Sequence, residues 1–182
     1  CRALDVPITG GNVSLYNESA GIDIDPTPVI GLLGVVDVLN RRPPGATLVE
    51  GHRLVLLGPA EVSLGGSLWG SVREAPGGVL APLDTALHLR LTDLVRNLVV
   101  SGMVDGVHDL SDGGLGVAVA EMVARSGVGA HIARVPDHRA LFGEGPSRVV
   151  LCVNPELLTE VLAAAEAKGV PSTRIGLATG DR

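Results

Sequence analysis

The first stretch whose residue types could do chemistry is Gly10-Gly11-Asn12-Val13-Ser14-Leu15-Tyr16-Asn17-Glu18. Paired glycines let a backbone come close to a bulky ligand. Asn12 offers a neutral oxygen suited to a hard cation such as Mg²⁺, and Ser14 can donate or accept a hydrogen bond. These are the parts of a nucleotide–metal site. The same residues also read as a turn followed by a solvated loop, and local composition favours the turn.

The second stretch is His108-Asp109-Leu110-Ser111-Asp112-Gly113-Gly114-Leu115. It lies between an expected strand and an expected helix. Backbone N–H groups at a helix start attract anions, and Gly113-Gly114 permits close approach, so a phosphate cradle is one reading. Capping by Ser111 or Asp112 explains the residues better, because Asp109 and Asp112 would repel a phosphate unless a metal intervened. The third stretch, Phe142-Gly143-Glu144-Gly145-Pro146-Ser147-Arg148, could present Glu144 and Arg148 to a polar ligand. An irregular turn with both side chains on the surface is the simpler expectation. Ser63-Leu64-Gly65-Gly66-Ser67 reads as a mobile loop. His52, His88, His131 and His138 have no partner at a telling spacing and read as surface or satisfied histidines. Cys1 and Cys152 show neither metal nor redox spacing.

The elements that must position these groups follow from periodicity. Val29 to Val36 is a continuous apolar run preceded by Pro26 and Pro28, which predicts a strand buried on both faces. Arg41-Arg42-Pro43-Pro44-Gly45 marks a domain boundary. Beyond it, Arg53 to Leu57 reads as a strand. Leu87, Leu91, Leu94, Val95 and Leu98 define a helix from Asp84, its N-cap, to Ser101, stopped by Gly102. A strand over 104–108 leads to a helix from about Asp112 to Ser126, whose Leu115, Ala118, Val119, Met122 and Val123 share one face. Strands are expected over 128–132 and 148–153. Asn154-Pro155-Glu156 should cap and open a third helix, closed by Lys168-Gly169, and a last strand lies near 174–177. The alternation predicts an α+β fold, an α/β sandwich with helices packed on a mixed or parallel sheet.

Composition narrows the function. Apolar residues make up 46% of the 182 positions, enough for a core built from aliphatic side chains. The net charge of −6, scattered basic residues and a single Trp, Tyr and Phe argue against a nucleic-acid platform. No apolar run is long enough to span a bilayer, and the first residues lack a signal peptide's apolar stretch. The abrupt start at Cys1 reads as a cut within a larger protein.

Taken together, Gly11-Asn12-Val13-Ser14-Leu15-Tyr16-Asn17-Glu18, Pro26-Thr27-Pro28-Val29-Ile30-Gly31, Leu64-Gly65-Gly66-Ser67, the His108–Leu115 stretch and Phe142-Gly143-Glu144 resemble the phosphoribosylformylglycinamidine synthase large subunit, in order and spacing. The first two stretches are specific; loops like Asp112-Gly113-Gly114-Leu115 also occur in related ATP-using synthetases. The resemblance implies that residues 1–44 are the tail of a second ATP-type domain. Residues 45–182 would then be a second C-terminal-type domain like that of aminoimidazole ribonucleotide synthetase. It implies a cytoplasmic ATP-dependent ligase of purine biosynthesis. That enzyme converts formylglycinamide ribonucleotide, ATP and glutamine to formylglycinamidine ribonucleotide, ADP, phosphate and glutamate. Its partners would be a glutaminase subunit, a small accessory subunit and the rest of the large subunit. It further implies Gly11 as an ATP contact, Asn12 as a Mg²⁺ ligand and Ser14 as a substrate contact. The family's catalytic histidine and acidic metal ligands have no counterpart here, so the fragment alone should be inactive. Two alternatives stand beside this: a related synthetase of the same superfamily, and a non-catalytic half that docks the glutaminase.

Overall fold

The chain falls into two units, Cys1–Asn40 and Arg41–Arg182. The computed structural model describes residues 1–14, 17–75 and 77–180. In the first unit a 3₁₀ turn at Arg2–Leu4 precedes a hairpin of β1 (Glu18–Ser19) and β2 (Ile22–Asp23). Ala20 and Gly21 turn it, both at positive φ, the geometry that suits the twist of a two-residue hairpin. The strand expected over 29–36 does not form. Val29 is 93% exposed and Leu33 91%. A strand needs a neighbour to take its backbone N–H and C=O groups, and the described residues of this unit form no strand besides β1 and β2.

The second unit carries β3 (Arg53–Leu57), α1 (Leu68–Val72), α2 (Thr85–Ser101), β4 (Gly106–Asp109), α3 (Gly114–Ser126), β5 (Gly129–Ile132), α4 (His138–Phe142), β6 (Val149–Val153), α5 (Leu158–Ala167) and β7 (Ser172–Thr179). The α+β class is as expected. Along β3 the side chains alternate between two cores. Val55 and Leu57 pack with α2, α5, Leu151 and Val153. Leu54 and Leu56 pack with α3, Val150 and Cys152. Both faces of the sheet are covered, which is why β3 and β6 read as unbroken apolar runs. Among the described residues no helix is long and apolar enough to cross a membrane.

The sheet corrects the expectation of mixed or parallel pairing. Its order is β4-β6-β3-β7-β5, and every adjacent pair is antiparallel. The helical crossovers do return the chain in one direction, so β3, β4 and β5 run alike. They are never neighbours, because β6 and β7 run the other way and insert between them.

Most helix ends follow the local signals. The Asp84 carboxylate accepts from the Leu87 amide at 2.9 Å, and Gly102 closes α2 in the left-handed region. The third expected helix starts late. Asn154 Oδ1 accepts from the Glu156 amide, forming a turn, and α5 begins only at Leu158. Pro155 therefore sits in that turn and not at the first helical position.

Candidate functional site

Gly11, Asn12 and Ser14 lie on an exposed segment of the first unit, with Leu15 and Tyr16 of the same motif outside the described residues. Asn12 Nδ2 donates to Ser14 Oγ at 3.4 Å, which leaves the Asn12 amide oxygen outside that contact. A Cβ built on Gly10 or Gly11 would meet nothing within 4 Å. The close approach that two glycines permit is thus not to this chain's own described atoms. Among the described residues no three His, Cys, Asp or Glu side chains gather as a metal site. A single amide oxygen fills one position of an octahedral Mg²⁺ shell. Asn12 fits a metal only as one ligand among others supplied by phosphate oxygens, water or another part of a larger protein.

The other three motifs, separate in sequence, meet at Glu144. Its Oε1 accepts from the Leu68 amide and the Gly113 amide, both at 2.8 Å, at the starts of α1 and α3. The backbones of Ser63 and Glu144 exchange two hydrogen bonds of 2.9 Å. Ser67, buried, caps α1 by accepting from Gly70. The stretch expected to be a mobile loop, 63–67, is therefore tied down by the third motif. The expected capping of α3 by Ser111 or Asp112 also fails. Gly113 holds the N-cap position with no side-chain cap of its own, and the nearby acceptor is a carboxylate 31 positions along the chain.

This geometry bears on the phosphate cradle. The Gly113 amide is already bound to an anion, Glu144. The neighbouring Asp109 adds negative charge. Partial desolvation pushes its carboxyl up, but hydrogen bonds from Ser111, its own backbone and His108 outweigh this and hold it below the ordinary carboxylate value. The His108–Leu115 loop thus presents an occupied amide and an ionised acid, a poor phosphate site.

Arg148 corrects another expectation. It is 4% exposed, its Nη1 donates to the Gly143 carbonyl at 3.3 Å, and burial pushes its guanidinium below its ordinary value. Three histidines lie against polar groups far away in sequence or on the next helix, although His52 Nδ1 makes no hydrogen bond there. His52 Nδ1 lies 3.1 Å from Asp105 Oδ2, His88 Nδ1 lies 3.0 Å from Ser147 Oγ, and His108 Nε2 lies 2.6 Å from Glu121 Oε2. The one signal in sequence for the Glu144 cluster was an acid flanked by two glycines, in a chain with two other glycine-rich loops.

Residues 49–182 match the family model for the AIR synthase related protein, C-terminal domain. The chain belongs to that family. Over nearly its whole length it is similar to phosphoribosylformylglycinamidine synthase subunit PurL of Methylocella silvestris, at 47% identity across 97% of this chain and 24% of that protein. The chain thus spans about a quarter of the length of the curated relatives it matches. Among solved structures, T. maritima PurL complexed with FGAR superposes with a TM-score of 0.65 at 20% identity, over 75% of this chain and 25% of that one. T. maritima PurL complexed with ATP gives 0.60 at 20% identity, over 76% and 23%. These structures share the fold, including helices packed on an antiparallel sheet.

Proposed function

We propose that this chain is the C-terminal part of a phosphoribosylformylglycinamidine synthase large subunit. The whole enzyme would be an ATP-dependent ligase of purine biosynthesis acting on formylglycinamide ribonucleotide, with glutamine as nitrogen source, in the cytoplasm. The observation that carries this reading is the 47% identity to a PurL subunit over nearly the whole chain. That similarity favours a synthase over a related synthetase of the superfamily. The ATP and FGAR complexes of T. maritima PurL support ATP and the ribonucleotide as ligands of the complete protein.

In this reading residues 1–44 end a second ATP-type domain and 45–182 form a second C-terminal-type domain. Gly11 lets the backbone approach ATP, Asn12 donates one oxygen to Mg²⁺, and Ser14 holds the ribonucleotide by a hydrogen bond. Bound Mg²⁺ would offset phosphate charge during phosphoryl transfer. The general base and the remaining metal ligands come from the rest of the large subunit. A glutaminase subunit and a small accessory subunit complete the assembly. The fragment alone is inactive, because a cooperating constellation loses nearly everything when it is divided.

The test is a pair of substitutions in the complete large subunit. Asn12→Ala is expected to impair Mg·ATP use, seen as a raised Mg²⁺ requirement. Ser14→Ala is expected to raise the KM for the ribonucleotide by about 2- to 13-fold, the equivalent of one hydrogen bond of roughly 0.5–1.5 kcal/mol. Wild-type kinetics in both variants would remove the site from this loop.

A further inference from the structure

Three arginines line one cleft of about 240 Å³: Arg53 at the start of β3, Arg134 just after β5 and Arg174 in β7. The rest of its lining is Ala133, Ile175, Gly176 and Leu177, so among the described residues no acidic side chain borders it. None of the three arginines forms an ion pair with a carboxylate of the described residues. Arg53 Nη1 donates to the Gly51 carbonyl at 2.8 Å. The chain carries a net charge of −6 and 14 basic residues in all, so three of them around one cleft is a local reversal of sign. Like charges gathered in a concave surface repel one another and draw in an anion.

The backbone builds this cleft. The β3–β7 register shifts between Leu54 and Val55: Leu54 faces Gly176 and Val55 faces Arg174, leaving Ile175 as an extra residue. Such a bulge bends a strand and re-aims its side chains. A Cβ on Gly176 would lie 2.0 Å from the His131 carbonyl. Glycine there lets β5 close on β7, and the Ala133 amide donates to the Ile175 carbonyl at 2.8 Å. Arg174 is thereby held on paired backbone, and Arg134 follows directly after the last paired residue, Ala133. A wider groove of about 770 Å³ shares both arginines and adds the hydroxyls of Thr159, Ser172 and Thr173, with one acid, Glu166.

We propose that the cleft binds the phosphate of a small phosphorylated molecule, whose organic part lies in the adjoining groove. Planar guanidinium groups match phosphate oxygens two at a time, which is why arginine serves such sites.

The test is titration calorimetry of the 182-residue chain with inorganic phosphate and with AMP, at low salt and with chelator present so that Mg²⁺ takes no part. AMP is expected to bind more tightly than inorganic phosphate, and both to weaken as salt rises. Arg134→Gln and Arg174→Gln should each weaken AMP about tenfold, and the triple variant with Arg53→Gln should abolish binding. Arg134 and Arg174 are exposed, so thermal melts of those single variants should match wild type. Absence of phosphate and AMP binding would overturn the proposal, as would AMP binding that survives the single changes. Equal affinity for phosphate and AMP would overturn the assignment of the groove.

Discussion

Gly114→Val is expected to destabilise the second unit by about 2–6 kcal/mol, a large part of the roughly 5–15 kcal/mol that holds a domain folded. Gly114 has φ +64, where a β-branched side chain is strained by about 1–3 kcal/mol. A Cβ there would also lie 2.5 Å from the Gly143 carbonyl oxygen and 3.1 Å from that of Leu141. These are backbone atoms at the end of α4, so no side chain can swing aside, and overpacking adds about 1–3 kcal/mol. Urea unfolding reads the effect directly. Gly11→Val is the matching control, because a Cβ there meets nothing within 4 Å; its unfolding free energy should stay within about 0.5 kcal/mol of wild type. A Gly114→Val protein with the wild-type midpoint would mean that α3 does not start against the backbone of α4.

Glu144→Ala is expected to cost about 2–4 kcal/mol. The carboxylate accepts from two backbone amides at helix starts, and hydrogen bonds to a charged group contribute about 1.5–3 kcal/mol each before solvent screening at this half-buried site. Glu144→Gln keeps an acceptor oxygen and loses the charge, so it should cost only about 1 kcal/mol. A spectroscopic readout separates this from general damage. Trp69, the single tryptophan, lies in α1 and stacks on Phe142 with ring centroids 4.9 Å apart. Loosening the start of α1 should shift Trp69 emission in Glu144→Ala well before global unfolding, and much less in Glu144→Gln. Equal stability and unchanged emission in both variants would show that the carboxylate does not hold the two helices.

Much of this protein was legible in the chain. The period-3.6 pattern of Leu87, Leu91, Leu94 and Leu98 located α2, and the Asp84 and Gly102 caps bounded it, because both signals act within one turn of helix. The apolar run at Arg53–Leu57 marked β3, since a strand covered on both faces has no polar side. The motif holding Gly11, Asn12 and Ser14 was likewise visible as a run of residue types. What only the tertiary structure decided involves distant partners. Crossover helices set the common direction of β3, β4 and β5, but nothing local says that β6 and β7 will take the slots between them. The run 29–36 had the composition of a buried strand and stayed exposed, because burial requires a neighbour that composition does not supply. The start of α3 carried two good caps, Ser111 and Asp112, yet Glu144 took the amide. A cap within a few residues is a local choice. Chain closure brought a carboxylate from 31 residues away to an amide that could donate to either a local or a distant acceptor, and closure depends on the whole core.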